Sequence, residues 1–262
     1  MHRIQIDKIA VMVTSLCFFL TCLYAKKIMS AAKMEVPSFQ VLERQNWLGF
    51  NNAQQLAFFE QLKDKEALVN FFAEYFPDTK EVIPDLVRDF FKNPTSYLAI
   101  MKCYPWTFED KVALIGDASH AIVPFYGHGM NAGFEDITVL SEMMTKYGDD
   151  WETIFAEYQK SRKPNADAIA ELSLRNFIEM STKTADEKFL LQKKIEKWFS
   201  DKHPDKWMPL YSRVTFSLQP YSEALAIGDF QNQIMEQVMQ MPNIEAIWNS
   251  EEVENKIIDL LK

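Results

Sequence analysis

A formal charge of −9, from 28 basic and 37 acidic residues, argues against a nucleic-acid partner held through its phosphates. Cys17, Cys22 and Cys103 form neither a disulfide framework nor a paired metal-ligand motif, which fits a reducing compartment. With 262 residues, 48% of them apolar, and only 7 glycines and 11 prolines, the chain has ample core for one large domain or two small ones and little room for disordered linkers.

Residues 9–25, IAVMVTSLCFFLTCLYA, are an apolar run between Arg3 and Lys8 on one side and Lys26 and Lys27 on the other. Three readings stay open: a marginal spanning helix, a signal peptide with Leu23 large for its −3 position, or buried strands rich in Val, Ile, Phe and Thr. No GxGxxG occurs anywhere in the sequence. Residues 67–75 place Leu68, Phe71, Phe72 and Tyr75 at helical spacing, with Pro77 closing the segment. Residues 83–91 read as a second short helix with Pro84 near its start. Residues 96–103 read as a strand, followed by Trp106 and a turn at Glu109 and Asp110. Cys103 has no basic neighbour in sequence and reads as a buried structural thiol.

Residues 112–136, VALIGDASHAIVPFYGHGMNAGFED, carry the chemistry. The apolar run 112–115 ends at Gly116 and Asp117 and predicts a buried strand. A loop with Pro124, Gly127 and Gly129 leads to a helix expected to begin near Asn131, with Ile137, Leu140 and Met144 on one face. Glycine allows close backbone approach and positive φ, and a helix start offers free N–H groups to an anion. Asp117 at a strand end could accept hydrogen bonds from sugar-like hydroxyls. Together these features suit a large phosphorylated cofactor. An ordinary strand–loop–helix joint with Asn131 as N-cap accounts for the same spacing.

Beyond the motif, helices are expected at 151–160 and 166–180, separated by a break at 162–164. Ile169, Leu172, Asn176 and Met180 form a stripe on the second. A third helix at 185–200 would turn Phe189, Ile195, Trp198 and Phe199 inward. The tail 221–262 is polar and helical, with Ile244, Ile247, Ile257, Leu260 and Leu261 as its apolar positions. His120 and His128 lack HxxxH or CxxC companions, so no metal is implied, and GxSxG is absent.

GDASHAIVPFYGHGMNAGFED resembles the second flavin-binding motif of the single-component FAD-dependent aromatic hydroxylases. FFAEYFPD, VRDFF, LRNFIEM and PLYSRVTFS extend the likeness from about residue 58 to about 224 and narrow it to the kynurenine 3-monooxygenase branch. The resemblance implies an α/β fold of the FAD-binding aromatic hydroxylase type, here truncated and predominantly α-helical with a few strands. By it, residues 1–57 are an unassigned start, 58–150 a remnant of the substrate- and FAD-binding domain, and 151–262 a helical region.

The implied cofactors are FAD and NADPH, and the implied substrates are L-kynurenine and O₂. Gly116, Asp117, Pro124, Gly127, Gly129, Met130, Asn131 and Ala132 would meet the flavin. Phe125, Tyr126, Asn176, Met180 and Tyr211 would meet the substrate, with Glu179 supporting the site or in solvent, and no side chain serving as acid or base. His120 belongs to the family's GDASH text and is expected to be structural. The chain is expected to be a poor hydroxylase alone, because the glycine fingerprint for the other half of FAD is missing. A non-catalytic remnant and a membrane-tethered helical interaction protein are the alternative classes. The tail lacks the hydrophobic anchor of mitochondrial relatives and resembles the bacterial form, so a cytoplasmic location is expected, with membrane association through 9–25 as the alternative. Nothing in the sequence fixes an oligomeric state.

Seventeen residues containing Thr14, Ser15 and Thr21 are short for a hydrocarbon core of about 30 Å, so residues 9–25 are expected not to span a membrane. An alkaline carbonate wash of fractionated cells should release the protein; retention in the pellet would reverse that expectation.

Overall fold

The computed structural model describes residues 38–42, 62–92, 98–184 and 186–262. The apolar run 9–25 lies outside them, as do Ser96, Tyr97 and Ala185 of the expected elements. Helix dominates, as expected. Strand β1 (Ser38–Leu42) pairs antiparallel with β2 (Leu98–Lys102), Gln40 opposite Ile100. A hairpin joins β3 (Thr107–Phe108) to β4 (Val112–Ala113) through the turn at Glu109 and Asp110.

Helix α1 (Lys65–Tyr75) starts where the Asp64 carboxylate accepts the Ala67 N–H at 2.9 Å, and it buries Leu68 and Phe71. The helix expected over 83–91 starts later, as α3 (Leu86–Lys92), and a separate one-turn helix, α2 (Thr79–Val82), precedes Ile83. Pro84 explains the division: a residue before proline is pushed out of the α region, and Ile83 has φ −126° and ψ 77°.

Past a one-turn helix α4 (Asp117–His120), helix α5 (Gly129–Tyr147) lies against α6 (Trp151–Ile178). Two expectations change here. Helix α5 begins at Gly129, with His128 rather than Asn131 as its N-cap residue. Its buried positions are Ala132, Asp136 and Leu140, while Ile137 is exposed. The inward face is thus centred on a charged residue, which an apolar count passes over.

The break expected at 162–164 is also absent. Helix α6 runs 28 residues through Pro164, capped by the Asp150 carboxylate on the Thr153 N–H at 3.2 Å. An interior proline removes one hydrogen bond and crowds the preceding turn. Here Pro164 faces solvent, while Ile154, Phe155, Tyr158 and Ala166 are buried in one core cluster and Ala168, Ile169 and Leu172 in another. Burial on both sides of the proline holds the helix together. A π-helical turn (Glu179–Lys183) ends it.

Helix α7 (Glu187–Lys202) is capped by the Asp186 carboxylate. It buries Ile195 and Phe199 against α9 (Tyr221–Val238), α10 (Ile244–Ile247) and α11 (Glu251–Leu260). The expected tail is therefore a packed helical unit, with Ile244 and Ile257 in its core. Between α7 and α9 lies α8 (Leu210–Phe216). A Cβ placed on Gly228 of α9 would come within 2.7 Å of the Leu210 side chain, so glycine is what lets α8 settle there. Among the described residues no helix is long and apolar enough to cross a membrane.

The centre of the fold is polar. Asp136, fully buried, accepts hydrogen bonds from the Gly116 N–H at 2.9 Å and from Arg162 Nε at 2.7 Å. His120 Nε2 lies 2.5 Å from the same carboxylate. The Arg162 guanidinium also meets the Glu135 carboxylate at 2.7 Å and the Ala132 carbonyl at 3.3 Å. Burial would push the Asp136 carboxyl up, but the His120 and Arg162 contacts outweigh it and hold it below the usual carboxylate range.

Removing one member of a buried pair strands the other, so Arg162→Ala should cost about 3–5 kcal/mol in urea unfolding. A depressed carboxyl contributes stability that is complete above its unfolded value and is lost as pH falls through the lower folded value. The wild-type protein should therefore resist acid further than Arg162→Ala. Equal acid midpoints would show that the pair does not set the acid limit.

Candidate functional site

Of the expected strand 112–115, Val112–Ala113 forms β4, and the Leu114 N–H bonds the Trp106 carbonyl at 2.8 Å, one step further along the same antiparallel register. Leu114 and Ile115 remain buried, and Gly116 then takes φ 62°, a conformation costly for any residue with a Cβ. Gly116 also faces Gly133 of α5 closely: a Cβ on Gly133 would sit 3.7 Å from the Gly116 Cα. Asp117 is consequently at the head of α4 rather than at a strand end. Its carboxylate has no hydrogen-bond partner among the described residues, and burial raises its pKa while the His120 charge works the other way.

Residues 121–128 form the loop between α4 and α5. The Met101 N–H donates to the Ala121 carbonyl at 2.9 Å, tying the loop to β2, and Val123 packs on Ile100 and Ala170. The Gly127 N–H closes a turn onto the Pro124 carbonyl at 3.0 Å, with Gly127 at φ 72° and open space where its Cβ would lie. Helix α5 follows at once. The N–H groups of Gly129, Met130 and Asn131 find no acceptor among the described residues, while that of Ala132 bonds back to the His128 carbonyl at 2.9 Å. Met130 and Asn131 are exposed and Ala132 is buried. This is a cluster of free donors at the positive end of a 19-residue helix.

The other side of the loop is held by helices from later in the chain. Asn176 Nδ2 donates to the Phe125 carbonyl at 2.7 Å, and the Phe125 ring lies on Phe177 with centroids 4.5 Å apart. Tyr126 stacks on Tyr211 at 5.5 Å and 24°. A cavity of about 190 Å³ opens beside that pair, lined by Tyr126, Arg175, Asn176, Glu179, Tyr211 and Asp229 among others. Burial chiefly, with Glu179 and Tyr211 behind it, pushes the Tyr126 phenol well up, so it stays a neutral hydrogen-bonding group.

Of the five residues expected to face a substrate, Tyr126, Asn176 and Tyr211 share this cavity. Phe125 stands behind it through the Asn176 bond. Met180 lies on the π-helical turn, half exposed, and does not line the cavity. Glu179, expected to support the site or face solvent, lines it too, as do Arg175 and Asp229, to which sequence reasoning assigns no role. Arg175 is held by Glu171, one helical turn back, and by Asp229 on α9. Only the Glu171 spacing could have been read from the sequence, since Asp229 lies 54 residues further on. The Asp136–Arg162 pair was likewise missed, although Asp136 ends the quoted motif.

Cys103 is a buried thiol beside the Ser119 carbonyl at 3.1 Å, and His120 is buried in the Asp136 network. Among the described residues no group of His, Cys, Asp and Glu could hold a metal.

The family model described as an FAD binding domain matches residues 96–173. Kynurenine 3-monooxygenase of Flavobacterium johnsoniae is 75% identical over 204 residues, covering 78% of this chain and 46% of that protein. That of Flavobacterium psychrophilum is 70% identical over 203 residues, covering 78% and 45%. The Dictyostelium discoideum protein of the same name is 41% identical over 194 residues, covering 70% and 42%. The chain spans about half the length of the curated relatives it matches. Over the residues matched, the chain is similar to proteins named kynurenine 3-monooxygenase, and it carries a match to the FAD binding domain model.

Proposed function

We propose that this chain binds FAD at the loop 124–132 and takes part in the NADPH-dependent hydroxylation of L-kynurenine to 3-hydroxykynurenine, as a portion of the α/β aromatic hydroxylase fold. The observation that carries this reading is the set of unpartnered N–H donors at Gly129, Met130 and Asn131, placed on the same loop as the Tyr126–Tyr211 wall of the cavity. The fit to FAD is chemical as well as spatial. Free amides at a helix start suit the electron-rich edge or phosphates of the cofactor, Gly127 leaves room beside them, and the unpaired Asp117 carboxylate suits ribityl hydroxyls.

FAD bound there would take electrons from NADPH and activate O₂, supplying the oxygen that enters the aromatic ring. The protein's part is binding, orientation and exclusion of water. Gly116, Asp117, Pro124, Gly127, Gly129, Met130, Asn131 and Ala132 hold the cofactor. Tyr126 and Tyr211 give an aromatic substrate a flat face to stack on, and Phe125 backs the loop. Asn176 fixes that loop through the Phe125 carbonyl, so its effect on the substrate is largely positional. Met180 is assigned by family resemblance alone. No side chain in the cavity is assigned as an acid or a base, which suits a reaction whose difficult chemistry resides in the cofactor.

Titration with FAD, followed by flavin fluorescence and visible absorbance, tests the reading. The protein should develop bound-flavin bands. Asp117→Ala should weaken binding by about 1.5–3 kcal/mol, roughly ten- to hundredfold in Kd, through lost charge-assisted hydrogen bonds. Unchanged affinity in the variant would remove Asp117 from the site, and no binding by the wild-type chain would overturn the proposed function.

A further inference from the structure

His128 is out of character with its surroundings. From Gly127 to Asn131 it is the one residue with a buried side chain: Gly127, Met130 and Asn131 are exposed, and Gly129 is partly covered. Although it is the N-cap residue of α5, its side chain caps nothing. Instead Nδ1 lies 3.0 Å from the Tyr221 hydroxyl, and the two rings meet edge to face at 5.7 Å and 89°.

Tyr221 is the first residue of α9 and is itself fixed. The N–H and hydroxyl of the adjoining Ser222 both donate to the Asn165 side chain of α6, at 3.1 and 3.0 Å. The Tyr221 ring packs with Ala132, Ile169, Leu172, Val214 and Ala224. The contact therefore joins a fixed helix start on α9 to the residue that immediately precedes the amides of Gly129, Met130 and Asn131. Burial keeps the His128 imidazole neutral and raises the Tyr221 phenol to about 12, so the phenol O–H is the donor and Nδ1 the acceptor.

We propose that the His128–Tyr221 hydrogen bond is a positioning contact by which α9 orders the amides of Gly129, Met130 and Asn131, and thereby sets FAD affinity. The effect on FAD rests on the function proposed above; the ordering of the turn does not. A free turn must be ordered when it binds a ligand, and that cost is subtracted from affinity, whereas a turn already held incurs little of it. His128 and Tyr221 act through the backbone amides and are not catalytic residues.

The test uses the full chain and four variants: Tyr221→Phe, His128→Ala, His128→Asn and the double variant Tyr221→Phe/His128→Ala. Amide hydrogen exchange is followed in peptides covering residues 127–132, with residues 251–260 as the internal reference, and FAD affinity is measured in parallel. Tyr221→Phe removes only the hydroxyl. It should speed exchange in 127–132 and weaken FAD by about five- to tenfold, leaving 251–260 unchanged. His128→Asn, whose Oδ1 can stand in for Nδ1 as acceptor, should restore both readouts relative to His128→Ala. The double variant should be no worse than His128→Ala alone.

A space-filling role for His128 gives the opposite pattern, with no effect of Tyr221→Phe and no rescue by the smaller asparagine. That pattern, or unchanged exchange in Tyr221→Phe, overturns the proposal. Faster exchange in a chain whose wild type binds no FAD would leave the ordering contact standing and overturn the function proposed above instead.

Discussion

One buried carboxylate holds the loop between α4 and α5 in place. Asp136 sits on the inward face of α5 and gathers the Gly116 amide, the His120 ring and the Arg162 guanidinium. Those three groups belong to the turn before α4, to α4 itself and to α6. The carboxylate therefore fixes both ends of the loop 121–128 and the long helix behind it. Arg162 extends the network to the Ala132 carbonyl, inside the first turn of α5. A buried ion pair contributes little net stability compared with a well-packed apolar replacement. Its value here is geometric: an apolar contact tolerates sliding, whereas these hydrogen bonds admit one placement of α5 against the Gly116 turn. The Gly116–Gly133 approach is the steric counterpart of the same constraint.

The loop's outer half is arranged differently. Nothing charged is buried there; Asn176 takes the Phe125 carbonyl, Tyr126 stacks on Tyr211, and His128 meets Tyr221. The partners come from α6, α8 and α9, so three helices of the later chain converge on a segment of only four residues. The donors at the head of α5 and the aromatic wall beside the cavity thus lie on one loop, held from two sides. Residues 96–173, which match the FAD binding domain model, include this loop.

Local pattern made much of this legible. The apolar spacing of Leu68 and Phe71, of Ile195 and Phe199, and of Ile244 and Ile257 placed helices that do bury those residues. Asp64, Asp150 and Asp186 stand at helix starts, where acceptors are needed for free N–H groups. The glycine and aspartate pattern of 112–136 marks the same loop that the structure places between α4 and α5. Where the same reasoning went astray, a single residue had been given its average meaning. Pro164 was taken as a break, yet α6 continues past it because its flanks are buried. The apolar spacing puts Ile137 on one face with Leu140 and Met144, yet its charged neighbour Asp136 is the one that is inside.

The sequence by itself therefore determined the helical character of the chain and the glycine loop, because each depends on residues within about one or two turns of one another. Only the tertiary structure decided which side chains share the site. Asp136 and Arg162 are 26 residues apart, Asn176 and Phe125 51, and His128 and Tyr221 93. No periodicity links positions so distant. What pairs them is the requirement that a polar group taken out of water find a partner, and which partner is in reach depends on how the helices pack.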